Sequence, residues 1–130
     1  MAGELILIVE DNEKNRKLER DILQFHGYRT AEAETAEEGI RLAQATPPAL
    51  VLMDIQLPGM NGIEALYQLR ADPRTRPIPV IAVTASVMTQ DRQKIIAAGF
   101  DGYQAKPIDV TTFVGAVRTA LTRPPAADPP

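Results

Sequence analysis

Three acidic side chains, one threonine and one lysine stand where short apolar runs stop. Leu5 to Val9 is followed by Glu10-Asp11, Ala49 to Met53 by Asp54, Val80 to Val83 by Thr84, and the run around Tyr103 by Lys106-Pro107. If these runs are parallel neighbouring strands, the five side chains meet on one rim of a sheet, where open α/β sheets place their ligands. Carboxylates about 5 Å apart repel by about 3 kcal/mol per pair at an effective dielectric near 20, so the cluster needs an offsetting cation. Lys106 and one divalent ion would balance three carboxylates. Hard oxygen ligands suit Mg²⁺, which keeps several waters and takes one or two carboxylates. Zinc is disfavoured: there is no cysteine, and the one histidine, His26, falls at a helix end, where it complements the helix dipole.

The elements that must position these groups alternate along the chain. Asn12 to His26 carries Leu18, Ile22 and Phe25 at helical spacing and stops at Gly27, a residue that tolerates the left-handed conformation ending a helix. Tyr28 to Ala33 reads as an edge strand. Thr35-Ala36-Glu37-Glu38 is a capping box opening a helix with Ala36, Ile40 and Ala43 on its apolar face. Pro47-Pro48 ends that helix, and the continuously apolar run from Ala49 to Met53 suits a central strand buried on both sides. The loop Gln56 to Asn61 leads to a helix from Gly62 to Ala71 with Ile63, Leu66 and Leu69. Gly59 and Gly62 let the chain turn beside the site. After the Val80 strand, Thr89 is a candidate cap for a helix reaching Ala98. Asp109 caps the last helix, where Val110, Phe113, Val117, Ala120 and Leu121 share a face.

This order is β then α five times, and right-handed crossovers place helices on both faces of one parallel sheet. The expected fold is therefore α/β, doubly wound, as a single domain over 1–123 with a Pro-rich, disordered tail over 124–130. The 130 residues carry a net charge of −3, which leaves no electrostatic footprint for nucleic acid. Arg70, Arg74 and Arg76 read as a solvated loop around prolines. Apolar stretches are too short to span a bilayer and no secretory signal is visible, so a cytoplasmic location is expected.

The stretches Leu5-Ile-Leu-Ile-Val-Glu-Asp-Asn, Val51-Leu-Met-Asp-Ile-Gln-Leu-Pro-Gly-Met-Asn-Gly, Pro79-Val-Ile-Ala-Val-Thr-Ala and Lys106-Pro107 resemble the receiver domain of two-component response regulators. The likeness covers roughly residues 4 to 122 in matching order. It implies a flavodoxin-like sheet of order 2-1-3-4-5 and a role for each matching residue. Asp54 would be the phosphoacceptor, attacking a phosphohistidine to form an acyl phosphate. Asp11, Asp54 and the backbone carbonyl of Gln56 would bind Mg²⁺, and Glu10 would hold a metal-bound water. Lys106, fixed by a cis bond to Pro107, would pair with a phosphate oxygen, and Thr84 would donate its hydroxyl to the phosphate. Tyr103 matches the family's switch aromatic, turning inward as Thr84 moves. Gln56 and Ser86 match positions that tune phosphoryl lifetime.

By the same resemblance the chain is a stand-alone receiver of the type controlling bacterial cell division and polarity, with no turnover of an external substrate. A sensor histidine kinase or histidine phosphotransfer protein would dock on the first helix, with Asn15, Arg16, Leu18 and Glu19, and beside Ile108. Output would come through a downstream protein partner, with the chain a monomer or weak dimer. The alternatives are a receiver module of a hybrid-kinase phosphorelay and a phosphorylation-independent binding module. An aspartyl phosphatase would need a second aspartate where Gln56 stands. A nucleotide or flavin module would need a glycine- or hydroxyl-rich loop in place of Glu10-Asp11-Asn12-Glu13.

Overall fold

The computed structural model describes residues 3–85 and 89–122. Ser86, predicted to tune lifetime, and the 124–130 tail lie outside them. Five strands and five helices alternate: β1 Leu5–Val9, α1 Glu13–Phe25, β2 Arg29–Ala33, α2 Ala36–Ala45, β3 Leu50–Asp54, α3 Gly62–Ala71, β4 Val80–Thr84, α4 Thr89–Ala98, β5 Gly102–Ala105 and α5 Val110–Thr122. All neighbouring strands are parallel, in the order β2-β1-β3-β4-β5. This is the doubly wound order in which the succession of strands across the sheet reverses at β1 and β3, leaving a crevice at their carboxyl ends.

Side chains alternate across a strand, so the central strands β1, β3 and β4 feed two cores. Leu7, Val9, Val51, Met53 and Val80 meet Ala36, Ile40 and Ala43 of α2 and Ala65, Leu66 and Leu69 of α3. On the opposite face Ile6, Ile8, Leu50, Leu52, Ile81 and Val83 meet Ile22 and Leu23 of α1 and Phe113, Val114 and Val117 of α5. Each fully buried aliphatic side chain contributes about 1.5–3 kcal/mol. Strands β3 and β4 are buried along their whole length, whereas β5 is only half buried.

Two helical faces differ from the sequence expectation. In α1, Leu18 and Phe25 are exposed and the inward face is Glu19, Ile22 and Leu23. Both triplets have helical spacing, and the helix turns its Glu19 side toward the sheet because Ile22 and Leu23 fill the core together. In α5, Val110 at the first turn is exposed, and Val114 takes the inward place beside Phe113. Thr35 accepts from the Glu38 N–H at 3.1 Å, the forward half of the predicted box. The reciprocal capping box forms at α3, where Asn61 accepts from the Ile63 and Glu64 N–H groups and Glu64 returns to the Asn61 N–H. Asp109 caps α5 through the Thr112 N–H, and His26 ends α1 with Nδ1 on the Ile22 carbonyl at 2.9 Å.

Arg70, in the last turn of α3 rather than in the loop, and Arg74 and Arg76 after it are held by partners rather than simply solvated. Arg70 bonds the Arg76 and Ile78 carbonyls and pairs with Asp101 at 2.7 Å, while Asp101 also accepts from the Val80 N–H. Arg74 closes on Asp72.

Candidate functional site

Strand register brings the acidic residues together. Val9 stands level with Met53, so Glu10 follows onto the rung of Asp54, and Asp54 itself is level with Val83. Thr84 pairs with Ala105, and the Thr84 carbonyl accepts the Lys106 N–H at 2.8 Å, which fixes the backbone from which the lysine reaches inward. The Lys106–Pro107 peptide bond is cis, as the sequence motif implied. Carboxylate oxygens of Glu10, Asp11 and Asp54 all lie within 4.8 Å of one another. Lys106 Nζ stands 2.7 Å from Glu10 Oε1 and 3.1 Å from Asp54 Oδ2.

The environment of the three carboxylates is unequal. Glu10 and Asp54 are buried and Asp11 is exposed. Glu10 Oε2 accepts the Asn12 N–H at 3.0 Å, and Asp54 Oδ1 accepts the Gln56 N–H at 3.1 Å. Burial pulls the Lys106 ammonium pKa down, but its hydrogen bond to Glu10 and the charges of Asp54 and Glu10 outweigh this, leaving it above the ordinary lysine value. The lysine therefore stays charged and offsets one of the three negative charges. An exposed carboxylate beside two buried ones, all oxygen donors, fits a hard divalent cation entering from solvent. Gly62 is required by close approach: a Cβ there would fall 2.5 Å from the Asp54 carbonyl oxygen. Gly59 has φ of +75°, which turns the loop before it.

Matching of the whole sequence to family models finds the response regulator receiver domain over residues 6–118. The chain belongs to the receiver family. Among curated relatives, the receiver is 43% identical over 116 residues to the polar-differentiation response regulator DivK of Brucella ovis, covering 89% of this chain and 94% of DivK. Among solved structures it resembles the receiver domain of a sensor histidine kinase from Pseudomonas aeruginosa, with 31% identity and a TM-score of 0.87 over 94% of this chain and 100% of that one. That domain holds a magnesium ion in its active-site cleft. The receiver domain of a signal transduction histidine kinase from Syntrophus aciditrophicus matches at 28% identity and a TM-score of 0.85, over 98% of each chain.

Other predicted positions of the receiver are placed as follows. Thr84 is buried at the end of β4, and Tyr103 is half-buried on β5. Gln56 follows Asp54 by two residues on the loop to α3, with its N–H on the Asp54 carboxylate. The first-helix docking surface needs correction. Arg16 turns inward, donating to the Glu10 carbonyl at 2.9 Å and pairing with Glu32 at 3.2 Å, and Glu19 is 1% exposed. Of the four named residues, Leu18 is exposed and Asn15 partly so.

Glu19 is the residue near the site that sequence reasoning misread. Its Oε2 is buried without a hydrogen-bond partner. Burial, then the charge of Glu10, pushes its carboxyl up from 4.5 to about 8, against the lowering pull of Lys106. A glutamate at a, d-like spacing with two core aliphatics was the available signal. Among the described residues no helix is long and apolar enough to cross a membrane.

Proposed function

We propose that this receiver is a phosphorylation-dependent signalling switch in which Asp54 accepts a phosphoryl group from a phosphohistidine with Mg²⁺ bound alongside. The observation that carries this reading is the convergence of Glu10, Asp11 and Asp54 within 4.8 Å, with Lys106 Nζ on two of them. Asp11, Asp54 and the Gln56 carbonyl would hold Mg²⁺, and Glu10 one of its waters. The metal supplies charge neutralisation for the transferring phosphoryl oxygens. Asp54 is a nucleophile held still by the Gln56 N–H. Lys106 is a fixed ammonium that exchanges a carboxylate partner for a phosphate oxygen, and Thr84 is the hydroxyl next along the rim. Phosphorylation draws Thr84 in and Tyr103 after it, altering the surface of α4, β5 and α5.

The output of this switch is protein–protein contact. The match to DivK along nearly the whole of both chains supports a role in bacterial polarity or division, with a histidine kinase or phosphotransfer protein as donor and a downstream protein as reader. Likeness to the receivers of two histidine kinases supports the second reading, a module in a hybrid-kinase phosphorelay. Intact-mass measurement after incubation with acetyl phosphate tests the chemistry. One phosphoryl addition is expected with Mg²⁺, and none with EDTA or in Asp54→Asn. Full labelling of Asp54→Asn would remove Asp54 from its role. Phosphotransfer back from Asp54 to a histidine phosphotransfer domain separates the relay module from the output switch.

A further inference from the structure

Above the half-buried ring of Tyr103 on β5 lies the guanidinium of Arg92, from the first turn of α4, with its central carbon 4.9 Å from the ring centroid. A guanidinium within about 6 Å of a tyrosine ring is attracted to its negative face, and Arg is well suited to such stacking because it is flat and weakly hydrated. Arg92 is exposed and Tyr103 is partly so, which places the pair at the surface where α4 meets β5. Arg92 stands on α4 rather than on the strand that carries the ring, so the stack ties the ring to a neighbouring element.

We infer that Arg92 is a latch on Tyr103: its stacked guanidinium holds the ring in its observed position and so sets how much phosphoryl binding is needed to turn the switch. The inference rests on the reading of Tyr103 as the switch ring. Arg92 is a positioning residue and touches none of the reacting groups. Its effect follows from population shift, since an interaction present in only one of two states biases the equilibrium by its whole strength. An exposed cation–π contact corresponds to about a two- to fivefold change in that equilibrium.

The test uses the full chain labelled with 3-fluorotyrosine, the Tyr103 resonance being assigned by its loss in Tyr103→Phe. Beryllofluoride with Mg²⁺ serves as the phosphoryl mimic. Arg92→Gln is expected to move the Tyr103 resonance of the free protein toward its beryllofluoride-saturated position. It should also lower the half-saturating beryllofluoride concentration about two- to fivefold, with Arg92→Lys falling between. Loss of a positive charge acting only at long range would instead weaken binding of the anion, so the sign separates latch from electrostatics. An unchanged Tyr103 resonance in Arg92→Gln, or weaker beryllofluoride binding, overturns the latch while leaving the switch reading intact. No response of the unsubstituted protein to beryllofluoride and Mg²⁺ overturns both.

Discussion

Replacing Glu19 should make the protein more stable, by an amount that grows with pH. The carboxyl is buried near Glu10, Lys106 and Asp54, its Oε2 lacks a partner, and burial pushes its folded pKa up to about 8 against an ordinary 4.5. Between those values the folded chain holds a proton that the unfolded chain has released. Folding stability therefore falls as pH rises from about 4.5 to about 8, and the loss is complete above that. About three and a half pH decades at about 1.4 kcal/mol each set a ceiling of about 5 kcal/mol on the effect. Glu19→Gln keeps the shape and removes the titration. Urea unfolding followed by circular dichroism at pH 5.5 and pH 9, both in EDTA, reads the difference between variant and unsubstituted protein, in which other titrations largely cancel. The variant's advantage should widen by several kcal/mol from the lower to the higher pH. A gap constant to within 1 kcal/mol would refute the account of Glu19 as a buried, neutral acid.

Other outcomes follow from the rim itself. Lys106→Ala leaves Glu10 and Asp54 without their ammonium, and should cost about 3 kcal/mol in EDTA, recovered in part by Mg²⁺ in the same denaturation experiment. That variant should still take a phosphoryl mimic weakly but fail to move Tyr103 in fluorine spectra; normal switching would count against the lysine. Mg²⁺ at about a hundred times its dissociation constant should raise stability of the unsubstituted protein by about 2.7 kcal/mol, an increment lost in Asp11→Asn if Asp11 is a ligand. Gly62→Ala should destabilise by about 1–3 kcal/mol and weaken Mg²⁺ binding measured by calorimetry, because the new methyl meets the Asp54 carbonyl. Asn61→Ala should cost about 1 kcal/mol by thermal unfolding, through loss of the α3 cap, with little change in metal affinity.

The sheet and its rim were legible because their signals are local and redundant. Runs such as Val51-Leu52-Met53 are apolar at every position, which only a doubly covered strand explains, and a carboxylate at the end of such a run has few innocent readings. The α1 face was not legible in the same way. Leu18, Ile22 and Phe25 satisfy helical spacing as well as Glu19, Ile22 and Leu23 do, and hydrophobicity prefers the first set. Tertiary packing chose the second, leaving Phe25 85% exposed and a carboxyl inside. Arg16 misled for a related reason: a long cation on a helix looks solvated until the carbonyl of Glu10 and the carboxylate of Glu32 are seen within its reach. Asn61 and Glu64 have the same capping-box spacing as Thr35 and Glu38, so the α3 cap is legible in the sequence too.

The unequal burial of the strands sets the centre of the sheet apart from its edges. Asp54 ends β3, a strand enclosed at every position, so its carboxylate stands on a fully packed part of the sheet. Lys106 and Tyr103 belong to β5 and the residue after it, at the sheet's edge, where only Gln104 is fully enclosed. Both edge strands, β2 and β5, are less enclosed than the centre, and on the β5 side Lys106 reaches across to Asp54. If Asp54 is the phosphoacceptor, a charge added there would reach the β5 edge through the ammonium of Lys106.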